Sequence, residues 1–207
     1  MFGNSNEERR KKTKAEKHDR RSERTRLLLR DALVALMLER PYADLTVQDI
    51  LERANIGRST FYAHFWDKDD LLANSIEQML AALSRQVNHA AGDAALLLPS
   101  LGLFQHVQEQ YHLLYRSFAR WQGAETLTRM LRALLAERVE QRLRGMALAS
   151  VSDMTITVTA QAVVGTFLAL LQWWLEQEMP LPPEQMDTYF RQLALPGVQR
   201  MLGQEEK

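Results

Sequence analysis

Arg58, Ser59, Thr60, Tyr62 and His64 stand within seven consecutive residues of a 207-residue chain. A guanidinium, two hydroxyls, a phenol and an imidazole at that density can read the edges of a nucleic acid. Arg58 can donate to phosphate or to guanine O6 and N7, and Ser59 and Thr60 can bond base edges or offer a methyl to thymine. Tyr62 and His64 suit phosphate oxygens or a thymine methyl. Catalytic groupings are missing by comparison. The five histidines (His18, His64, His89, His106, His112) are scattered, and Glu176 and Glu178 diverge on any helix. Asp67, Asp69 and Asp70 are explained by a helix cap. No nucleophile elbow, phosphate loop or dinucleotide fingerprint occurs. With no cysteine, thiol nucleophiles and cysteine metal sites are excluded. The expectation is a protein that is not an enzyme, with no metal and no cofactor.

These five residues need short helices to present them. Leu29, Ala32, Leu33, Leu36 and Met37 recur at helical spacing, and Pro41 stops that helix because it has no N–H to continue the ladder. Thr46-Val-Gln-Asp49 fits a capping box, a hydroxyl at the N-cap with an acid three residues on, so a second helix starts there and runs to about Ala54. Asn55-Ile-Gly57 is a turn, and a third helix follows over residues 58–65. Asp67, with Asp70 three residues later, opens a longer helix striped by Leu72, Ile76, Met79, Leu80, Leu83 and Val87. Two short helices about a tight turn form a helix-turn-helix, whose second helix enters a DNA major groove. Residues 46–65 have that shape, with Ile50, Ala54 and Ile56 available to set the interhelical angle. Thr46, Val47 and Gln48 join the candidate DNA contacts, and Lys68, at the next helix N-terminus, is expected on a phosphate. The plainer alternative is a helical hairpin whose aromatics are only core.

Charge is unevenly spread. Lys and Arg number 26 and so do Asp and Glu, for a net charge of zero. Residues 1–30 nevertheless hold eleven bases and five acids, a net of six positive charges. Local positive charge is enough for phosphate attraction and counterion release, so residues 1–20 are expected to be a disordered basic arm touching DNA, with a solubilising tail as the alternative. Hydrophobic residues at 46% and charged residues at 25% are ordinary for a globular protein. No secretory signal is read at the start, and the apolar run 155–175 is interrupted by Thr157, Thr159, Gln161 and Gln172, which favours a buried helix over a membrane span. The expected location is the cytoplasm.

Beyond residue 99 the pattern stays helical. Phe104, Val107, Tyr111, Leu114, Tyr115 and Phe118 form one stripe, and residues 127–144 form a basic amphipathic helix. A long apolar helix covers roughly residues 154–178, and a short one covers 184–193 before Pro196-Gly197. The fold class is all-α. The domains expected are the arm (1–20), a three-helix helix-turn-helix DNA-binding unit (21–70) and a larger C-terminal helical body (71–207).

Ala54-Asn-Ile-Gly-Arg-Ser-Thr-Phe-Tyr-Ala-His-Phe65, followed by Asp67-Lys68 and Leu71-Leu72, resembles the helix-turn-helix of TetR-family transcriptional regulators. Thr25-Arg26 and the stripe after it stand where that family's first helix begins, so the resemblance covers about residues 23–83. Two departures are small: Leu51 stands where alanine is usual, and Gly57 where serine is common. The resemblance implies a homodimer on a palindromic double-stranded operator and a C-terminal body that holds a small-molecule effector.

On this chain the candidate effector pocket draws on Phe104, His106, Tyr111, Tyr115, Phe118, Trp121, Met130 and Phe167, with core packing as the alternative. The candidate dimer face is Val164, Leu168, Leu171, Trp174 and Leu175 on the long helix with Met186, Tyr189 and Phe190 on the next, a central helix of a monomer being the alternative. Gln172-Trp-Trp-Leu-Glu and the loop 179–183 also resemble the C-terminal dimer helices of one branch of that family. The function expected is a ligand-responsive regulator, a repressor released from its operator by a small molecule. The alternative is a DNA-binding protein-interaction module with no inducer.

Overall fold

The computed structural model describes residues 4–87, 97–110, 124–148 and 150–203, with side chains described at 20–85, 97–110, 128–148 and 150–203. Among the described residues there are eight α-helices and no strand. The chain divides into two compact units, residues 1–72 and 73–207.

The first unit is built on α1 (Asn4–Glu39), α2 (Val47–Ala54) and α3 (Arg58–Tyr62), with the opening of α4 (Lys68–Val87). Leu29, Ala32, Leu33 and Leu36 bury the predicted stripe of α1, and Ile50, Leu51, Phe61, Phe65 and Leu71 complete a small core. The helix runs back to Asn4, whereas the sequence reading makes residues 1–20 a disordered arm. The helical run has a local cause. Glu, Lys, Arg and Ala are strong helix formers, and Glu7, Glu8 and Glu16 precede Lys11, Lys12 and Arg20 by four residues, the spacing at which opposite charges support a helix.

Thr46 caps α2 as expected. Its hydroxyl accepts from the Asp49 N–H at 3.2 Å, and its own N–H donates to the Asp49 carboxylate at 2.8 Å. Asn55 ends the helix in the left-handed region, φ 52°, where its short polar side chain is tolerated. α3 is shorter than expected, closing at Tyr62 with Ala63 as its C-cap.

The second unit carries α5 (Ser100–Glu109), α6 (Ala124–Met146), α7 (Asp153–Glu176) and α8 (Pro183–Met201). α6 packs on α7, α7 on α8, and α5 on α8. Aromatic rings fill its centre. Phe104 meets Phe167 at 5.1 Å and Trp174 edge-on at 5.4 Å, and Phe167 meets Phe190 at 5.5 Å. By length and composition α7 could cross a membrane, but one of its faces supplies this core through Ile156, Ala160, Val163, Val164 and Phe167. α8 continues past residue 193 through Pro196, which is exposed, and Val198 and Leu202 are buried beyond it. Burial of those two side chains offsets the hydrogen bond that proline cannot make.

Candidate nucleic-acid interface

The turn between α2 and α3 is held by the Ile56 N–H donating to the Leu51 carbonyl at 3.0 Å. Phe61 is fully buried beneath it, its ring tilted against that of Phe65, 5.9 Å away. With that ring anchored, the opposite face of α3 must point outward. Arg58, Ser59, Thr60 and Tyr62 are all exposed, Tyr62 at 53%. Gln48 is exposed on α2, and its Oε1 lies 3.5 Å from the Arg58 guanidinium. His64 and Val47 are half-buried at the margins, and Thr46 is exposed with its hydroxyl engaged in the cap. The structure therefore brings Gln48, Arg58, Ser59, Thr60 and Tyr62 together as one polar face.

Two ion pairs hold α2 to the end of α1. Arg40 reaches Asp49 at 2.6 Å, and Arg53 reaches Glu39 at 2.7 Å. Hydrogen bonds from the Thr46 side chain and from Arg40 hold the Asp49 carboxyl well below the usual carboxylate range.

Lys68 departs from its expected place. Its ammonium donates inward to the carbonyls of Leu45 at 2.7 Å, Tyr42 at 3.0 Å and Ala43 at 3.3 Å, and sits 4.6 Å over the Tyr42 ring. An ammonium has three donors, and in the free chain all three are directed at the 3-10 turn Tyr42–Asp44 and the residue after it. Tyr42 in turn donates its hydroxyl to Asp69. Burial, and then Asp69, push the Tyr42 phenol far above its ordinary range. Asp67 accepts from the N–H groups of Asp69 and Asp70, at 2.9 and 2.8 Å, which is the predicted cap of α4.

In the second unit the candidate dimer residues separate by face. Val164, Leu168, Trp174, Met186 and Phe190 are buried within the chain itself, Leu171 and Leu175 are half-buried, and Tyr189 is exposed. The outer apolar residues are instead Met154, Val158 and Trp173 on α7 with Tyr189 and Leu193 on α8. The reason is that a helix apolar on every side gives no periodic signal of which face turns inward. Of the pocket candidates, Phe104 and Phe167 are sealed in the aromatic core, while His106 and Met130 are half-buried. Tyr111, Tyr115, Phe118 and Trp121 lie outside the described residues. Burial lowers the His106 imidazole from its ordinary value, with Glu109 opposing. A polar link was missed in the sequence: the buried Ser100 hydroxyl donates to Asp187 at 2.5 Å, joining α5 to α8. Ser100 and Asp187 lie 87 residues apart, so no local pattern announces the pair.

A capped helix-turn-helix with an exposed, hydrogen-bonding second helix defines a DNA-binding regulator. The family model for bacterial regulatory proteins of the tetR family matches residues 29–74, and one for a transcriptional regulator C-terminal region matches residues 97–195. The chain belongs to the TetR family of transcriptional regulators. It is 25% identical to a TetR transcriptional regulator from Streptococcus agalactiae 2603V, covering 87% of this chain and 98% of that one with a TM-score of 0.57. The fatty acid degradation regulator FadR from Bacillus halodurans shares the fold at 18% identity, over 84% of this chain and 95% of that one, with a TM-score of 0.53. The uncharacterized HTH-type transcriptional regulator YxbF of Bacillus subtilis (strain 168) is 39% identical over 66 residues, 31% of this chain. That match spans only 17% of the relative's length.

Proposed function

We propose that the chain acts as a homodimeric, ligand-responsive repressor that sits on a palindromic operator and is released by a small molecule. The observation that carries the reading is the exposed face of Gln48, Arg58, Ser59, Thr60 and Tyr62 on a turn anchored by buried Phe61. Two such faces, related by two-fold symmetry, enter successive major grooves about 34–36 Å apart. The outer stripe of Met154, Val158, Trp173, Tyr189 and Leu193 supports self-association through α7 and α8, because an exposed apolar patch is stabilised by covering it. An effector in the body shifts the equilibrium toward a conformer whose reading heads no longer match that spacing. Supporting this is a polar group, His106, half-buried on α5, the helix that also carries Phe104 of the aromatic core. A cytoplasmic location goes with this role.

A second reading is a DNA-bound protein-interaction module with no inducer. It draws on the sealed rings of Phe104, Phe167 and Trp174 together with the exposed apolar stripe.

Selection from random-sequence duplex DNA tests the proposal, with Arg58→Ala and Tyr62→Ala in parallel. One palindromic site recovered by the parent and lost by both variants supports a sequence-specific regulator, and a screen of small molecules for release from that site then separates the two readings. Binding that is salt-sensitive but blind to sequence overturns the operator proposal.

A further inference from the structure

The short turn after α3 presents one side chain that neither the core nor the reading face uses. Trp66 is 87% exposed, and its backbone is fixed on both sides. Phe65 before it is buried against Phe61. The Trp66 N–H donates to the Asp70 carboxylate at 2.9 Å, while Asp67 after it caps α4. The indole is therefore displayed on a rigid backbone, and little further order is needed to use it.

Its place follows from lengths. α3 has five residues, about 7.5 Å at the rise of an α-helix. A B-form major groove is about 12 Å wide. In a helix-turn-helix the N-terminal residues of the second helix meet the base edges, so after only five residues the chain leaving α3 stands beside the sugar–phosphate wall. Charge at that wall is unfavourable for the usual contact. Lys68 spends its ammonium on three carbonyls, and Asp67 and Asp69 are both exposed. The Asp67 carboxylate already accepts from the Asp69 and Asp70 amides of α4, so an anion there meets a carboxylate. A neutral group with a flat apolar face and one N–H donor can still bind there, and an indole is such a group.

Resting on the DNA-binding reading above, we propose that Trp66 is an uncharged DNA-backbone contact, its ring packed on deoxyribose and its Nε1–H donated to a phosphate oxygen, beside a lysine whose ammonium is engaged within the first unit.

The test measures operator affinity against salt for full-length parent, Trp66→Ala and Trp66→Phe, with thermal unfolding of each free protein. Trp66→Ala is expected to lose roughly ten-fold in affinity, the scale of one apolar ring contact together with a hydrogen bond. The slope of affinity against salt should stay at the parent value, because no counterion-releasing charge is removed. Trp66→Phe should recover most of the loss if the ring face carries the contact, and little of it if the N–H does; either result supports the proposal. Unchanged affinity in Trp66→Ala, with the parent still selecting its operator, overturns the Trp66 contact alone. A parent that selects no operator overturns the DNA-binding reading and the contact together. A melting temperature or dimerisation constant that falls along with affinity makes Trp66 structural and overturns the proposal.

Discussion

The Lys68 ammonium lies 2.7 Å from the carbonyl oxygen of Leu45, across the 3-10 turn that joins α1 to α2. A cation at the start of α4 is unfavourable for the helix dipole, yet here it serves three carbonyls at the end of a different turn. The lysine thus fixes how the first unit closes.

Replacing Lys68 by Met should destabilise the protein by about 1–3 kcal/mol, because carbonyls left without a donor lose more than a typical hydrogen bond contributes. The salt slope of operator binding should not change if the ammonium stays on its three carbonyls in the complex. Chemical denaturation and salt-dependent titration separate the effects, and a slope reduced by about one in the variant would restore Lys68 to the DNA.

The two faces of α7 and α8 should respond in opposite ways. Trp174 is fully buried, and its indole donates to the Leu181 carbonyl at 2.8 Å. Trp174→Ala should cost about 3–5 kcal/mol of stability. Leu193, 64% exposed on α8, should tolerate Glu with a change of no more than about 0.5 kcal/mol in the protomer. Leu193→Glu should nevertheless weaken self-association in sedimentation. Dimers of undiminished strength would remove this face from the interface.

The cap of α2 predicts a pH dependence. Asp49 titrates below its ordinary value of 3.8, chiefly through the Thr46 side chain and then Arg40. A carboxyl with a depressed folded value contributes stability that is complete above the unfolded value, and loses it as pH falls from there through the folded value. Acid unfolding of the parent below about pH 4 should therefore be steeper than that of Asp49→Asn, which has no carboxyl to protonate. Parallel curves would show that the capping box does not couple to folding.

Local chemistry explains which of these features could be read before the fold was known. The Thr46–Asp49 box, the Asn55 turn and the Asp67 cap each lie within four residues, so type and spacing suffice. Phe61 and Phe65 could be assigned inward because the neighbours Arg58, Ser59 and Tyr62 must face out. Lys68 could not be placed, because its partners stand 23 to 26 residues earlier. Trp173 and Trp174 are adjacent and equally apolar, and only packing against Phe104 decides that Trp174 turns inward.

The turn after α7 stores strain that can be released. Glu178 and Met179 both have φ of 57°, the left-handed region that costs a residue with a Cβ roughly 1–2 kcal/mol. The turn is kept by hydrogen bonds at its two ends. The Met179 N–H donates to the Trp174 carbonyl at 2.8 Å, and the Trp174 indole reaches Leu181. Glu178 is exposed, so Glu178→Gly removes strain without opening a cavity. Glycine has more freedom to lose on folding, a cost of roughly 0.5–1 kcal/mol, which leaves a net gain between zero and about 1.5 kcal/mol. Asn55→Gly, at φ 52°, should gain less, because asparagine already tolerates that region. A rise in denaturation midpoint at constant slope for Glu178→Gly, larger than for Asn55→Gly, is the expected result. Equal or reversed shifts would place no strain at the Trp174 turn.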